Sequence, residues 1–396
     1  MKFITRNVII LSAVSLCTDV ASEMLYPIMP IYLKSIGFSI ILIGVLEGFA
    51  EATAGLSKGY FGSVSDNIGK RLPFVQIGYA LSSISKPMMA IFVYPLWIFF
   101  ARTIDRLGKG IRTGARDALL SDEATPQTKG RVFGFHRSMD TFGAVLGPLM
   151  ALVYLYYHPN AYKTLFILAF FPGLLAIAFT FLIKEKKEQH QKLASKTDFF
   201  AFIKYWKTSP AVYKKLVTAL LLFALFNSSD VFLLLKIKQA GYSDTVVIAV
   251  YIFYNLIYAI CSYPLGILAD RLGMKKIFVT GIILFAVAYA GMAYADSQLL
   301  FFIIFFIYGV YAAATEGIAK AWITNVCEKE KTATAIGTYS AFQSIATLIA
   351  SSLAGVLWFS FGASVTFLLS GLIAIIVAVF VSTIKSSKVS YTNGSI

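Results

Sequence analysis

The stretch Gly62-Ser-Val-Ser-Asp66-Asn-Ile-Gly69-Lys70-Arg71 lies between two long apolar runs and decides how the rest of the chain is interpreted. A second stretch, Gly266-Ile-Leu-Ala-Asp270-Arg-Leu-Gly273-Met-Lys275-Lys276, repeats its order of glycine, aspartate, glycine and basic residues 204 positions later. The glycines allow helices or a tight turn to approach closely, the aspartate offers an acceptor at a helix end, and the basic pair favours the cytoplasmic side. Two such loops indicate two related halves.

The composition places these loops in a membrane protein. Of the 396 residues, 58% are hydrophobic and 14% are charged, against roughly 45–50% and about 25% in ordinary soluble domains. About 20 apolar residues cross a bilayer as a helix, because lipid offers the backbone no hydrogen-bond partners. The pattern predicts an all-α membrane protein with two pseudo-symmetric six-helix bundles. The 12 predicted transmembrane helices lie near residues 7–33, 39–63, 73–94, 96–120, 131–156, 162–183, 213–237, 243–268, 276–296, 298–322, 332–358 and 361–384.

The same pattern predicts domain boundaries and topology. We expect an N-terminal bundle over residues 1–183, a lysine-rich linker over 184–212, a C-terminal bundle over 213–384 and a tail over 385–396. Positive residues concentrate in the even-numbered gaps between helices, which predicts that both termini, the linker and the tail are cytoplasmic. The first apolar run is too long for a cleavable signal peptide. The sequence therefore predicts a multi-pass protein of a bacterial inner or plasma membrane.

Both loops resemble the signature GxxxDxxGRR loop of the major facilitator superfamily, and they follow the second and eighth predicted helices, as in that family. The resemblance covers nearly the whole chain and implies a monomeric secondary transporter that works by alternating access. In the family, the aspartate and the basic residues of this loop form a charge network that closes the cytoplasmic side. Lysine replaces arginine at several positions here, so bidentate pairing is expected to be weaker. The matching gating residues are Gly62, Asp66, Gly69, Lys70, Arg71, Gly266, Asp270, Gly273, Lys275 and Lys276.

Two further stretches are similar to motifs of the same family. The run from Arg102 to Gly110 is similar to the helix 4 motif RxxxGxGxG, whose arginine is associated with proton coupling, although Arg106 stands where a glycine is usual. Gly143-Ala-Val-Leu-Gly147-Pro148 is similar to the helix 5 GxxxGP motif of proton-coupled exporters. The resemblance implies a helix-packing role for the latter motif, and it favours export without securing it.

Ionisable residues within the predicted helices are the candidates for transport chemistry. Each costs at least about 2.5–3.5 kcal/mol at bilayer depth, so such groups must face protein, water or counter-charges. Helix 4 carries five cations on one face, and helices 1, 5 and 10 each carry two polar residues four positions apart. The predicted substrate-binding or proton-coupling residues are Asp19, Glu23, Arg102, Arg106, Lys109, Arg112, Arg116, His136, Asp140, Glu316 and Lys320.

Each of these groups also has a purely structural interpretation. Helices 1 and 4 could simply be held together by ion pairs, His136 could be fixed by one hydrogen bond, and Glu316 could pair with Lys320 within helix 10. Arg137 is predicted to point away from this set and to extend toward the interface. The second half is sparser in polar residues, with Asn227 and Asp230 in helix 7.

The combined pattern predicts proton-coupled transport of a small organic solute. We expect Asp19 or Glu23 to exchange a proton for pairing with the cations of helix 4. The excess of arginine over carboxylate there favours an anionic substrate. Two alternatives stay open: a proton-antiport exporter of amphipathic or drug-like compounds, and an importer of an organic anion such as a polycarboxylate siderophore. The expected partners are the substrate, protons and the lipid bilayer, without nucleic acid.

Other classes of protein fit the sequence less well. No Walker-type loop is present, so the chain itself is not expected to hydrolyse ATP. The cysteines Cys17, Cys261 and Cys327 and the three histidines are scattered, which predicts no metal site, no cofactor and no enzymatic centre. A channel would not need two gating loops. Flux measurements distinguish a receptor without transport from a transporter.

Overall fold

The computed structural model describes residues 4–26, 28–159, 161–185 and 200–384, and this part of the chain is almost entirely helical. A short 3₁₀ turn covers Lys329–Lys331. The α-helices of the described part are α1 (Arg6–Glu23), α2 (Met29–Ser35), α3 (Ile40–Ile68), α4 (Leu72–Ile91), α5 (Pro95–Asp122), α6 (Lys129–Tyr157), α7 (Tyr162–Thr180), α8 (Ala201–Thr208), α9 (Ala211–Ala224), α10 (Val231–Gln239), α11 (Asp244–Leu272), α12 (Met274–Tyr294), α13 (Gln298–Val326) and α14 (Thr332–Thr383).

Local sequence explains where several of these helices begin and end. The side chains of Ser39 and Ser243, which occupy equivalent places in the two halves, accept hydrogen bonds from the first turns of α3 and α11. Helix α3 stops at Gly69, whose φ of 69° lies in the left-handed region that glycine tolerates. Helix α14 contains one non-helical residue, Gly362, with φ 84°. This break separates the predicted helices 11 and 12.

The prediction that helices 1 and 7 are continuous was wrong. The first is divided into α1 and α2, and the seventh into α9 and α10. A proline lies in the first turn of α2, where its missing N–H costs little. The second break contains Asn227, Ser228 and Ser229, and the Ser229 hydroxyl accepts a hydrogen bond from the Val231 N–H at 3.4 Å. Local side-chain bonds of this kind compete with the hydrogen bonds of a continuous helix. Hydropathy does not reveal these breaks because the residues around them are apolar.

The described part of the predicted linker contains one helix, α8, and α9 starts at Ala211, slightly before the predicted boundary. Residues 186–199 of the linker and the whole predicted tail, 385–396, lie outside the described residues. Within the described part, six helices are long and apolar enough to cross a membrane by length and composition alone, namely α6, α7, α11, α12, α13 and α14. Helix α5 does not meet that criterion, because it carries too many charged residues. These same charged residues make α5 a functional candidate.

The helices pack within each half and then between the halves. Helix α1 contacts α6 and α7, and α5 contacts α3 and α4, whereas α12 contacts α13 and α14 in the second half. Between the halves, α3 packs along α14 and α6 packs along α11. A side chain could not fit at Gly62, because its Cβ would overlap the carbonyl oxygen of Ala333. Gly266 meets the carbonyl oxygen of Gly130 in the same way. The halves therefore touch closely near both predicted gating loops.

Candidate functional site

Each gating-loop aspartate caps a helix of the opposite half. The Asp66 carboxylate accepts a hydrogen bond from the Thr334 N–H at 2.7 Å and one from its hydroxyl at 2.8 Å. The Asp270 carboxylate accepts from the N–H groups of Gly130 at 2.7 Å and Arg131 at 3.0 Å. Unpaired N–H groups and the positive end of the helix dipole favour a carboxylate at both places. The two aspartates thus hold α14 and α6 at one end of the bundle, which we name the gating-loop end.

The basic residues of the two loops have unequal roles. Arg71 is buried and contacts the carboxylates of Asp66, at 3.3 Å, and Asp122. Lys275 donates instead to the backbone carbonyls of Ser382 and Ile384, at 3.0 and 3.1 Å. Lys70 and Lys276 are exposed. A charge network therefore forms around the first loop, whereas Lys275 binds the C-terminal end of α14.

Two ion pairs connect the halves deeper in the bundle. The Lys320 ammonium lies 2.8 Å from the Asp117 carboxylate, which is fully buried and is also 2.8 Å from the Arg116 guanidinium. The Arg137 guanidinium lies 2.9 Å from Glu316. We name the pairs Asp117–Lys320 and Arg137–Glu316 the gate pairs.

The gate pairs exclude one structural alternative and correct one prediction. Glu316 and Lys320 do not pair with each other within their helix, because each meets an opposite charge on the first half. Arg137 does not point away from the set, since it also pairs with Asp140 at 2.7 Å and donates to the Tyr258 hydroxyl. Lys320 and Glu316 therefore belong to the interface between the halves.

Other charges of α5 are neutralised within the first half. Asp105 accepts from the Lys86 ammonium at 2.7 Å and lies 3.4 Å from Arg102. Arg112 donates to the Ser82 hydroxyl at 2.6 Å, and its guanidinium lies 4.5 Å from the centre of the Tyr79 ring. These contacts fix α4 against α5, so Arg102 and Arg112 have structural partners in the described part of the chain.

The middle of α5 carries a different group of charges. Arg106 pairs at 3.3 Å with Glu51 of α3, whose side chain is 56% exposed. Lys109 is exposed and lies among Arg106, Glu51 and Asp19, while Lys58 of α3 is half-buried beside Lys109. Within the described residues, neither lysine ammonium forms an ion pair or a hydrogen bond. The charges that act on these two ammonium groups lie on α1, α3, α5 and α13.

The predicted pairing of Asp19 or Glu23 with Arg106 or Lys109 is absent from the ion pairs of the described residues. The carboxyl group of Asp19 instead lies beside that of Asp140, and Glu23 lies near Lys109 and Arg106 without contact. The Asp140 carboxylate also accepts a hydrogen bond from the Ser15 hydroxyl. His136 is buried nearby, and both of its ring nitrogens lack a partner in this part of the structure. The structure thus brings the half-buried Asp19 together with the buried Asp140 and His136.

The helix-packing motif of α6 lies against α1. A Cβ at Gly143 would lie 2.6 Å from the Leu16 carbonyl oxygen, and one at Gly147 would lie 2.7 Å from the Val20 carbonyl oxygen. Pro148 follows within the same helix. These contacts bring Asp140 of α6 next to Asp19 of α1.

Several polar residues near these groups were not among the predicted site residues. Glu51 and Lys58 lie on an α3 face that also carries apolar residues, and Asp230 lies in the break between α9 and α10. Their position inside a transmembrane segment was the signal that could have identified them. No group of three or more histidine, cysteine or acidic residues in the described part could hold a metal ion.

Comparisons with known proteins agree with this architecture. A sequence profile of the Major Facilitator Superfamily matches residues 11–254 and 236–393. An uncharacterised MFS-type transporter of Methanocaldococcus jannaschii is 32% identical over 379 residues, which cover 94% of this chain and 93% of the relative. The quinolone resistance protein NorA of Staphylococcus aureus is 26% identical over 122 residues, 31% of each chain.

A solved structure supports the same fold. The MFS transporter FucP, crystallised in the outward conformation, superposes with a TM-score of 0.80 at 12% identity and covers 98% of this chain and 100% of its own. The resemblance in sequence motifs is therefore confirmed by the profile, by a full-length relative and by the fold. The chain belongs to the Major Facilitator Superfamily and is an integral, multi-pass secondary transporter, not an enzyme.

Proposed function

We propose that this transporter carries a small organic anion and that Lys58 and Lys109 bind its negative charge. The observation that supports this proposal is the pair of lysine ammonium groups without a carboxylate partner in the described residues. Two neighbouring cations inside a membrane protein repel each other and are costly unless an anion neutralises them. Arg106 lies beside them, and its partner Glu51 is exposed enough to exchange with a substrate carboxylate or phosphate.

The proton-coupling site in this proposal is the pair of carboxyl groups of Asp19 and Asp140. Two adjacent carboxylates in a medium of low dielectric repel strongly unless a proton lies between them. Asp19 also faces Lys109, so a proton on this pair alters the field at the proposed anion site. Binding of the anion and movement of the proton are thereby coupled through Lys109.

The gate pairs and the aspartate caps support alternating access as the transport cycle. They close the gating-loop end, which the positive-inside pattern predicts to be cytoplasmic. Rocking of one half against the other must break these contacts before the substrate can leave on that side. In the proposed cycle, the conformation with these contacts intact is the outward-facing stage.

Reconstituted protein tests the substrate class directly. Uptake of radiolabelled citrate, glucose 6-phosphate and glucose into proteoliposomes is measured for the wild type, for Lys58→Gln and for Lys109→Gln. We expect saturable uptake of at least one anion, and a fall of at least tenfold in both variants. Lys34→Gln, which removes an exposed lysine, is the matched control and should keep its uptake. Anion uptake that is unchanged in both variants would contradict the proposed site.

The proton-coupling step needs its own measurement. Uptake of the transported anion is compared with and without an imposed pH gradient for the wild type and for Asp19→Asn. We expect the gradient to change the wild-type rate several-fold and to have no effect in the variant. An equal response in both proteins would exclude Asp19 from coupling.

A second candidate function is export of drug-like compounds. The observation that favours it is the 26% identity to the quinolone resistance protein NorA over 122 residues. Quinolone efflux from loaded proteoliposomes distinguishes the two candidates. An efflux rate that is the same in the wild type, Lys58→Gln and Lys109→Gln would support the drug exporter.

A further inference from the structure

Asp230 stands in the break between α9 and α10, in the half of the molecule opposite to the proposed anion site. Its carboxylate accepts a hydrogen bond from the Tyr308 hydroxyl of α13 at 2.6 Å. Asp230 is the residue that precedes α10, yet its side chain makes no capping hydrogen bond to that helix. Helix capping therefore does not explain why a carboxylate lies at this depth.

The charge of Asp230 has no counter-ion in the described part of the chain. No lysine, arginine or histidine there lies within 4.0 Å of it, and the formal charge that acts on it is that of another carboxylate, Glu316. The dipole of α10 supplies only about half a positive charge at its N-terminus. An ionised group inside a membrane protein without a counter-ion marks a candidate functional site.

The surroundings of Asp230 suit a cation. The amide of Asn227 donates to the Tyr311 hydroxyl at 2.8 Å, while its Oδ1 atom is buried without a hydrogen-bond partner among the described residues. The ring of Tyr308 lies 5.0 Å from that of Tyr254 and 5.1 Å from that of Tyr311. Aromatic faces and free carbonyl oxygens both attract positive charge. A small cavity of about 40 Å³ adjoins Asn227 and Tyr311.

Two tyrosines connect this region with the charges of the first half. Tyr26, which follows α1, lies close to both Arg106 and Asp230, and Tyr251 of α11 lies close to both Glu23 and Asp230. Charges of both halves therefore act on the same two tyrosines. A molecule that bridges the halves meets positive charge on one side and negative charge on the other.

We propose that Asp230 binds a cationic group of the transported compound, with Asn227 and Tyr308 as its neighbouring ligands. The substrate class is then dipolar: a small organic compound with an anionic group at Lys58 and Lys109 and an ammonium or similar group at Asp230. This inference rests on the proposed anion site and adds a second pole to it.

A charged-reagent experiment tests the cation site without knowledge of the substrate. In a background with Cys17, Cys261 and Cys327 replaced by serine, Ser229→Cys places a thiol of nearly unchanged size next to Asp230. Modification rates at pH 7 are measured with a cationic and an anionic methanethiosulfonate. We expect the cationic reagent to react at least tenfold faster, and this preference to disappear in Asp230→Asn. Asp296→Asn, which neutralises an exposed aspartate, is the matched control and should keep it.

Two results of that experiment would overturn the inference. Equal rates with both reagents would mean that Asp230 is neutral or remote, and no reaction with either would mean that a substrate cannot reach it. Neither result depends on Lys58 or Lys109, so the anion proposal can stand when this inference falls. Conversely, the thiol can react faster with the cationic reagent even if Lys58→Gln and Lys109→Gln leave anion uptake intact. The cation site would then stand while the anion site falls.

Protection of the same thiol distinguishes an organic ammonium group from an inorganic ion. Modification by a neutral methanethiosulfonate is followed in 0.1 M ethylammonium chloride, sodium chloride or N-methylglucamine chloride. We expect ethylammonium to slow the reaction at least threefold relative to N-methylglucamine. Slowing by sodium alone would assign the site to an inorganic cation and overturn the dipolar substrate. If neither salt slows the reaction, Asp230 creates a negative potential but does not bind a cation, and this result also overturns the dipolar substrate.

Discussion

Removal of the Lys320 charge is expected to open the gating-loop end of the transporter. Lys320→Gln breaks the ion pair with Asp117, but the buried Asp117 carboxylate keeps Arg116 as a partner at 2.8 Å. The loss is therefore well below the roughly 3–5 kcal/mol that accompanies an unpaired buried charge. Couplings between contacting residues are about 0.5–3 kcal/mol, and 1.4 kcal/mol changes an equilibrium constant about tenfold. We expect a shift of roughly tenfold toward the open state.

Asp117→Asn is expected to act in two ways. It removes the same contact between the halves, so the conformational shift should match that of Lys320→Gln. It also leaves Arg116 inside the first half without its carboxylate, which lowers the stability of both conformations. The double variant should therefore open no further than Asp117→Asn alone, and both should melt several degrees below Lys320→Gln.

Distances between spin labels at the gating-loop end measure the shift. Gln127 and Glu330 are exposed, lie in different halves and flank the contact between Asn325 and the Pro126 carbonyl oxygen. Cysteines at both positions, in a background without the native cysteines, report closed and open states as short and long distances. Lys331→Gln is the matched control, because its pair with Glu328 is partly exposed and lies within the second half. A wild-type distance distribution in Lys320→Gln, or additive effects in the double variant, would refute the proposed gate.

Three further outcomes follow from the packing and burial of the described residues. Gly266→Val should prevent closure and abolish transport, because the new side chain would overlap the Gly130 carbonyl oxygen. In the same uptake assay Gly48→Ala should transport normally, because a Cβ at Gly48 meets no atom within 4 Å. Asp66→Asn and Asp270→Asn should lengthen the spin-label distance to a similar extent, since each aspartate caps a helix of the opposite half; a strong effect of one alone would contradict the equivalence of the two loops. Burial raises the pKa of the Cys327 thiol to about 11, so N-ethylmaleimide at pH 7 should leave Cys327 unmodified until the protein is denatured, as followed by peptide mass spectrometry.

The overall fold was accessible from the sequence because its signals are local. Apolar runs of bilayer length, the equivalent caps Ser39 and Ser243, and the two Gly-Asp-Gly loops each depend on residues within a few turns of one another. The breaks that divide α1 from α2 and α9 from α10 were missed because the residues on both sides of each break are apolar, so that the average hydropathy does not mark the interruption. Tertiary packing can stabilise an interrupted helix that hydropathy represents as one span.

The partners of the candidate residues could be predicted only in part. Residue spacing placed Glu316 and Lys320 on one face of a helix, and this suggested a local pair. Their actual partners, Arg137 and Asp117, are about 180 and 200 residues away in sequence. Spacing along one helix indicates which residues share a face, but the approach of the two halves decides which charges meet. Arg137 was misplaced for the same reason.

The distribution of paired and unpaired charges supports two proposed functions within one charged helix. Near the gating-loop end of α5, Asp117 is fixed by two cations, one from each half, so its energy depends on whether the halves are closed. Midway along the same helix, Lys109 has no such partner in the described residues and borders open space. An anion that neutralises Lys109 therefore acts on a helix whose other end carries the gate. Because α5 is one continuous helix over Pro95–Asp122, a shift caused by binding at the proposed anion site would be transmitted to Asp117 without an intervening hinge.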